Sequence, residues 1–188
     1  MILEDIIGIK SVSIGINRSL RKNEVSDKQF YENKDLESDL KQAEKVSSKK
    51  ASVNDVKGII EQGDVVYNLM SERSAVVSAD NSGKLAAQNF IIIKVDPNKC
   101  DPWYLCYLLN ESSEVDKQIS KKMEGTVIRR VSAATIKNLN LEVLPIKRQQ
   151  QIGETYRLLQ YSLALKERKM ELFKKGILET LKQKNEGN

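Results

Sequence analysis

The side chains that could carry out chemistry in this chain are few, and one type is missing altogether. The sequence contains no histidine and only two cysteines, Cys100 and Cys106. Without histidine, neither a nucleophile paired with an imidazole base nor a zinc site of cysteine and histidine can be assembled. The two cysteines are interpreted as small buried side chains. Most hydrolase chemistry is therefore excluded, and we expect no metal, no cofactor and no catalytic residue.

Two short motifs contain the residue types of catalytic sites without the necessary context. Asp39 and Lys41 are similar to a nuclease carboxylate and lysine pair, but no apolar strand precedes them to position a metal. The sequence DPWY, which begins at Asp101, is similar to the tetrapeptide of adenine methyltransferases. Trp103 replaces the second proline of that tetrapeptide, and no glycine-rich cofactor loop precedes it. We interpret Asp101 and Pro102 instead as the N-cap and first residue of a helix.

The first third of the chain gives the weakest pattern. Residues 26–57 are rich in Lys, Ser, Asp and Glu, which predicts a long surface excursion. Residues 2–16 contain short apolar runs that fit either a strand or a helical turn, and their periodicity does not separate the two.

From Gly58 onward, short strands and helices alternate with turns. Apolar and β-branched runs at residues 65–67, 75–78 and 89–95 predict strands. Helices are predicted after Asp101 and from about Ser113 to Met123, with Gly125 ending the second one. The fold class is therefore α+β, with a globular domain at residues 1–146.

The remaining residues, 147–188, are predicted to form one long helix, which would be about 55 Å long if it is helical from Lys147 to Lys184. A first apolar line on this helix alternates steps of four and three residues, as in a coiled coil, with Lys166 in its one gap. Leu158, Leu165 and Leu172 form a second line. The first line is predicted to mediate dimerisation and consists of Ile152, Tyr156, Leu159, Leu163, Met170, Phe173 and Ile177. The alternative is a terminal helix that folds back on its own domain.

Charge and hydropathy describe a soluble protein with a basic end. The 188 residues carry a formal net charge of +5, and the whole excess lies from Lys147 onward. Such an excess indicates either a solvated helix face or a helix that follows nucleic acid. No stretch reaches the ~20 apolar residues of a membrane span, and acidic Glu4 and Asp5 stand where a signal peptide needs positive charge. We therefore expect no membrane association and a cytoplasmic location.

Four segments, taken in order, resemble the target-recognition domains of type I restriction-modification specificity subunits. The last segment includes a polar turn with Gly125 and Thr126, a Leu-Pro end and a glutamine-rich helix start, like the junction between recognition domain and spacer helix in that family. Residues 26–57 have no counterpart. The segments are GDVVYNL (63–69), QNFIIIKVD (88–96), WYLCYLLN (103–110) and EGTVIRRVSAATIKNLNLEVLPIKRQQQI (124–152).

The resemblance implies a function and a set of partners. A specificity subunit of this family selects the DNA sequence, while a methyltransferase subunit modifies adenine and a motor restriction subunit cleaves. Family members usually contain two recognition domains and two helices, whereas this chain has one of each. It is therefore expected to be a half-length form that homodimerises and binds double-stranded DNA. The competing interpretation is an assembly protein that docks partners through its helix and does not bind DNA.

Two polar segments combine base-reading groups with cations. The first follows the strand at residues 65–67, and the second surrounds Gly125. Arginine can make forked contacts to guanine or phosphate, and Glu72 could accept a hydrogen bond from a cytosine amino group. Simple surface exposure is the alternative for each. The DNA-binding candidates are Asn68, Ser71, Glu72, Arg73, Lys121, Lys122, Thr126, Arg129 and Arg130.

Overall fold

The computed structural model describes residues 1–17, 29–42, 57–123 and 131–186. It confirms an α+β fold with a long C-terminal helix. A 3-10 helical turn (Leu3–Asp5) opens the chain. The strands are β1 (Ile9–Ile14), β2 (Phe30–Tyr31), β3 (Val65–Asn68), β4 (Arg73–Val76), β5 (Leu85–Ala86) and β6 (Phe90–Val95), and the helices are α1 (Asn33–Leu40), α2 (Pro102–Glu111), α3 (Ser113–Met123), α4 (Ala133–Lys137) and α5 (Ile146–Glu186).

The core is built on a four-stranded antiparallel sheet with the order β1-β6-β3-β4. The predicted isoleucine run lies in β6, next to the centre of the sheet, where Ile92 pairs with Val66 of β3 and with Ser13 of β1. Ile91, Ile92 and Ile93 are all buried, so both faces of β6 are covered. This explains why the strand is continuously apolar instead of alternating with polar residues.

The opening of the chain uses both structures that its sequence allowed. The 3-10 turn comes first, and its Leu3 donates its N–H to the carbonyl of Leu139 at 2.8 Å. β1 follows and forms an edge of the sheet. The apolar periodicity did not distinguish helix from strand, because the 3-10 turn has three residues and β1 has six, and such short elements show no clear period.

The prediction of a surface excursion at residues 26–57 is wrong for residues 30–40. β2 pairs in parallel with β5, and α1 packs with Leu36 and Leu40 fully inside the core. These leucines are four residues apart and share one helix face, so a polar segment still presents an apolar stripe. A capping box between Glu32 and Asp35 starts the helix. Residues 26–28 and 43–56 of that segment lie outside the described residues.

The N-terminus of α2 has the predicted cap and also receives α5. The Asp101 carboxylate accepts from the Tyr104 N–H at 2.8 Å, and Pro102 begins the helix. Gln149 of α5 accepts from the Asp101 N–H at 2.9 Å and donates to the Leu144 carbonyl at 2.7 Å. At Gly153 the helices approach so closely that an added Cβ would lie 2.2 Å from Oδ1 of Asp101. We call this contact between α2 and α5 the junction.

One turn further along α5, the junction is closed by Tyr156. Its ring packs against Trp103 and Tyr107, with centroid distances of 6.4 and 5.6 Å. Its hydroxyl donates to Glu111 at 3.0 Å and accepts from Asn110 at 3.0 Å. The first three turns of α5 are therefore part of the globular core.

Beyond Arg157, α5 leaves the core. No side chain of residues 158–186 is buried, and this stretch contacts the domain through an exposed ion pair between Lys41 and Glu167 at 2.9 Å. The alternative of a helix folded back on its domain thus holds only for the start of α5. Among the described residues, no helix is long and apolar enough to cross a membrane.

Two glycines of α5 give a matched test of the junction. Alanine normally stabilises a helix interior by about 1 kcal/mol relative to glycine. Gly176 has nothing within 4 Å of an added Cβ, so Gly176→Ala should raise the free energy of unfolding by up to about 1 kcal/mol. Gly153→Ala should instead lower it by about 1 to 3 kcal/mol, because the methyl group overlaps the Asp101 cap and the Tyr104 amide. Urea unfolding at equal protein concentration measures both values, and equal stabilisation by the two substitutions would contradict the described junction.

Candidate nucleic-acid interface

The turn that joins β3 to β4 is organised by Asn68. Its side-chain oxygen accepts from the N–H groups of Met70 at 2.8 Å and Ser71 at 3.4 Å, and its amide donates to Asn33 at 3.2 Å. Asn68 is only 3% exposed. Its carboxamide therefore holds the turn in shape, and the structure does not bring it to the surface as a group for reading bases.

The residues after Asn68 do reach solvent. Ser71, Glu72 and Arg73 are exposed, and Glu72 has a φ of 55°, the left-handed conformation that lets the chain reverse there. Arg73 lies 4.0 Å from Glu37, an exposed pair that is weak in water. Ser74 is fully buried and bonds to Asn110. The exposed part of this turn is thus Met70 to Arg73.

Two carboxylates influence the Tyr67 hydroxyl of β3, the strand that precedes this turn. Burial raises the pKa of the Tyr67 hydroxyl above its ordinary value, and the negative charges of Glu72 and Asp116 raise it further. Asp116 belongs to the first turn of α3, so the acidic end of α3 faces the same region. The negative charges of Glu72 and Asp116 would therefore repel an anionic group placed near the Tyr67 hydroxyl.

α3 carries acidic residues in its first turn and two lysines in its last, with Lys117 between them. Val115 and Ile119 face the core, Glu114 and Asp116 lie in the first turn, and Lys121 and Lys122 lie in the last turn. This arrangement complements the helix dipole. Both lysines are exposed, and in the described part of the chain neither forms an ion pair. The other candidates of this segment, Thr126, Arg129 and Arg130, lie outside the described residues.

A cleft of about 250 Å³ separates the end of α3 from α4. α4 begins at the N-cap Ser132, whose hydroxyl accepts from the Thr135 N–H at 3.0 Å. The sequence pattern of a serine three residues before a threonine could have indicated that start, but the cleft residues of α4 were not among the candidates. The cleft is lined by Gln118, Lys121, Lys122, Thr135, Asn138 and Leu139.

The two cysteines are buried, as the sequence indicated. Burial raises the pKa of both thiols, Cys100 and Cys106, to about 12, so they remain protonated at neutral pH. Within residues 1–17, 29–42, 57–123 and 131–186, no group of three carboxylate or thiol side chains could hold a metal ion.

Asp39, the carboxylate of the nuclease-like pair, is fully buried. It accepts from the Tyr31 hydroxyl at 2.9 Å and from the Asn81 amide at 2.7 Å. Burial raises the pKa of this carboxyl, and hydrogen bonds from neighbouring polar side chains oppose the shift. The side chain joins α1 to the turn before β5 and is closed to a substrate.

The predicted dimerisation line on α5 divides into two parts. Tyr156 is buried in the junction and Ile152 is half-buried beside it, so these two side chains contact their own domain. From Leu159 onward the side chains are exposed, and the second line is exposed as well. We call the exposed part of the first line the seam, and it consists of Leu159, Leu163, Met170, Phe173 and Ile177.

Comparison with known proteins identifies the family. The model of the type I restriction modification DNA specificity domain matches residues 3–174. The chain is 24% identical to the HsdS subunit from Thermoanaerobacter tengcongensis, over 61% of this chain and 28% of that one, with a TM-score of 0.45. It is 23% identical to a chain from a structure of the type I R-M system, over 72% of this chain and 33% of that one, with a TM-score of 0.43.

The chain thus spans about a third or less of the length of these two solved chains. No curated protein matches it. The family match extends from the opening 3-10 turn, through the sheet and the junction, to the exposed part of α5. This chain therefore belongs to the type I restriction modification DNA specificity domain family.

Proposed function

We propose that this chain is the DNA sequence-recognition subunit of a type I restriction-modification system. The observation that carries the proposal is the family match over residues 3–174. The net charge of +5 supports a polyanionic ligand. Double-stranded DNA is the proposed ligand.

In this proposal the chain selects the sequence and other subunits perform the chemistry. A methyltransferase subunit and a motor restriction subunit dock on it and supply methyl transfer and cleavage. The chain itself is proposed to be non-catalytic and to need no cofactor. The protonated thiols and the enclosed Asp39 support this assignment, because none of them offers a reactive group to a substrate.

Two surfaces would contact the DNA in different ways. The exposed turn residues Ser71, Glu72 and Arg73 would read base edges, with Asn68 holding the turn in shape from inside. The cationic segment from Lys121 to Arg130 would contact phosphates and guanine, through Lys121, Lys122, Thr126, Arg129 and Arg130.

The seam on α5 would bind a second copy of the chain. Each of its large apolar side chains stabilises an assembly by about 1.5 to 3 kcal/mol when it is fully buried. Leu163 is 43% exposed and Phe173 is 66% exposed, so much of this contribution is unused in the single chain. A coiled-coil line is self-complementary in an antiparallel pair, which favours a homodimer.

The length of α5 sets the expected form of the DNA target. Its 41 residues extend about 60 Å. Antiparallel pairing would place two recognition domains at opposite ends of the helix pair, related by a two-fold axis and more than one DNA turn apart. The target is therefore proposed to be bipartite and palindromic, with a fixed gap.

The same exposed helix face also favours a second candidate, an assembly protein that docks partners through α5 without binding DNA. The two functions differ in their response to salt. Phosphate contacts make DNA affinity fall steeply as ionic strength rises, whereas apolar helix pairing does not.

The first test concerns DNA binding by Arg129 and Arg130. Replacing both with alanine should weaken binding to a labelled duplex and reduce the slope of log affinity against log salt by about 1.8, because each lost phosphate contact contributes about 0.9. Fluorescence anisotropy over a series of salt concentrations measures both quantities. The control is Arg148→Ala with Arg168→Ala, which removes the same charge from exposed positions of α5. Absence of DNA binding by the unaltered chain would favour the assembly protein.

A second test separates support of the turn from its exposed contacts. Asn68→Ala leaves the Met70 amide without its acceptor and should lower the free energy of unfolding by about 1 to 3 kcal/mol. Ser71→Ala changes an exposed side chain of the same turn and should stay within about 0.5 kcal/mol of the unaltered chain. Urea unfolding compares them, and an equally small effect of both would argue against the turn-holding role of Asn68.

A third test concerns the seam. Leu163→Glu with Phe173→Glu should give a monomer that no longer selects a bipartite target, because two carboxylates would enter the apolar interface. The recognition domain should remain folded, since neither side chain is buried in the single chain. Lys174→Glu makes the same change in charge outside the seam and should remain dimeric. Light scattering and mapping of methylated adenines measure the two properties, and a monomeric unaltered chain or an uninterrupted asymmetric target would overturn the homodimer.

A further inference from the structure

We infer that the cleft between α3 and α4 is a preformed seat for one or two DNA backbone phosphates, and that Thr135 and Asn138 join Lys121 and Lys122 in it. This inference deepens the proposed function and rests on it. It assigns the cleft to positioning of the duplex and leaves base reading to other residues.

The walls of the cleft are fixed before any ligand arrives. Gln118 of α3 bonds to both backbone groups of Asn140, donating to its carbonyl and accepting from its N–H at 2.8 Å each. Leu139 forms the buried floor, and its carbonyl accepts from Leu3. α3 and the segment after α4 are thereby held at a set distance, so binding would order few additional groups.

The charges of the cleft favour an anion. Two of its six lining residues are lysines and none is a carboxylate. The acidic residues of α3 lie in its first turn, and Asp116 is about 7 Å along the helix axis from Lys121. Lys137 of α4 is already paired with Glu4 at 2.9 Å, which leaves Lys121 and Lys122 as the cations available at the cleft within the described residues.

Neutral donors complete the seat. The Thr135 and Ser132 hydroxyl oxygens lie 2.8 Å apart and form one hydrogen bond in which either can be the donor. When Ser132 donates, the hydroxyl hydrogen of Thr135 is available to a ligand. The Asn138 amide uses one of its two hydrogens on the Ala134 carbonyl at 2.8 Å. A phosphate offers only acceptor oxygens, which matches two ammonium groups, one hydroxyl and one amide hydrogen.

The size of the cleft argues against a larger ligand. Small-molecule sites typically enclose about 300 to 1,000 Å³, and this cleft holds about 250 Å³. A phosphate held here would fix the register of the duplex on the protein.

A purely structural role for the lysines is the competing explanation, because cations in the last turn of α3 stabilise the helix dipole. Such a role would change thermal stability but leave the salt dependence of DNA binding unaltered. The salt dependence therefore discriminates between the two roles.

The experiment compares the full chain with Lys121→Gln combined with Lys122→Gln on several labelled duplexes of different sequence. The loss of affinity between 50 and 200 mM salt should become about tenfold smaller in the variant, because two phosphate contacts are removed. Thr135→Val should weaken binding about two- to tenfold with the slope retained, since it removes a neutral hydrogen bond. The control is Lys169→Gln with Lys174→Gln, two exposed lysines of α5, and melting temperatures show that each variant is folded.

The possible outcomes distinguish failure of the phosphate seat from failure of the proposed function. A reduced slope only in the Lys121 and Lys122 variant, with affinity lowered equally for different duplex sequences, supports a phosphate seat. A slope equal to that of the control pair overturns the seat while the proposed function stands. Loss of discrimination between sequences would instead make the cleft a base-reading site. No binding by the unaltered chain at 50 mM salt would reject both the seat and the proposed function.

Discussion

The close approach of α5 to the N-terminus of α2 is the contact on which the arrangement of this molecule depends. Asp101 caps α2 with its side chain while its backbone N–H is held by Gln149, and Gly153 leaves the space that the cap requires. One aspartate therefore starts one helix and anchors another. The globular domain and the helix that extends from it form one unit because of this shared cap.

Polar side chains also connect neighbouring elements through hydrogen bonds elsewhere in the fold. The carboxamide of Asn110 holds both backbone groups of Ser74 at the start of β4, and it also donates to the Tyr156 hydroxyl. Asp39 connects α1 to the turn before β5 in the same way. Buried polar groups that are fully paired specify one arrangement of the elements around them, and a purely apolar contact would be less selective.

The sequence predicted the elements whose signals are local. The cap at Asp101 and Pro102, the start of α3 at Ser113 and the extent of α5 all follow from adjacent residues, and the structure confirms them. Burial that depends on tertiary contacts was not predicted. The stripe of Leu36 and Leu40 was obscured by its polar neighbours, and Tyr156 fitted a coiled-coil line although its own domain buries it.

The candidate site shows the same limit. Asn68 is polar and follows a strand, which predicted a role in reading bases. The same carboxamide can instead accept hydrogen bonds from the backbone of the turn, and only the folded chain distinguishes the two roles. The cleft joins residues of α3 with residues of α4 that lie more than ten positions later in the chain. No spacing rule connects them, because Gln118 and Asn140 bring the two helices together through space.

The exposed part of α5 also extends from the globular domain as a long arm that is held at its base. From Leu159 to Glu186 it measures about 42 Å, and its pivot is the three-turn contact with α2. A tilt of about 5° at the pivot would move the far end by about 3.5 Å, close to the rise of one base pair. If the arm sets the spacing of two DNA sites, as the proposed function requires, it needs angular stiffness at its base, and Gln149, Gly153 and Tyr156 hold the helix at that point.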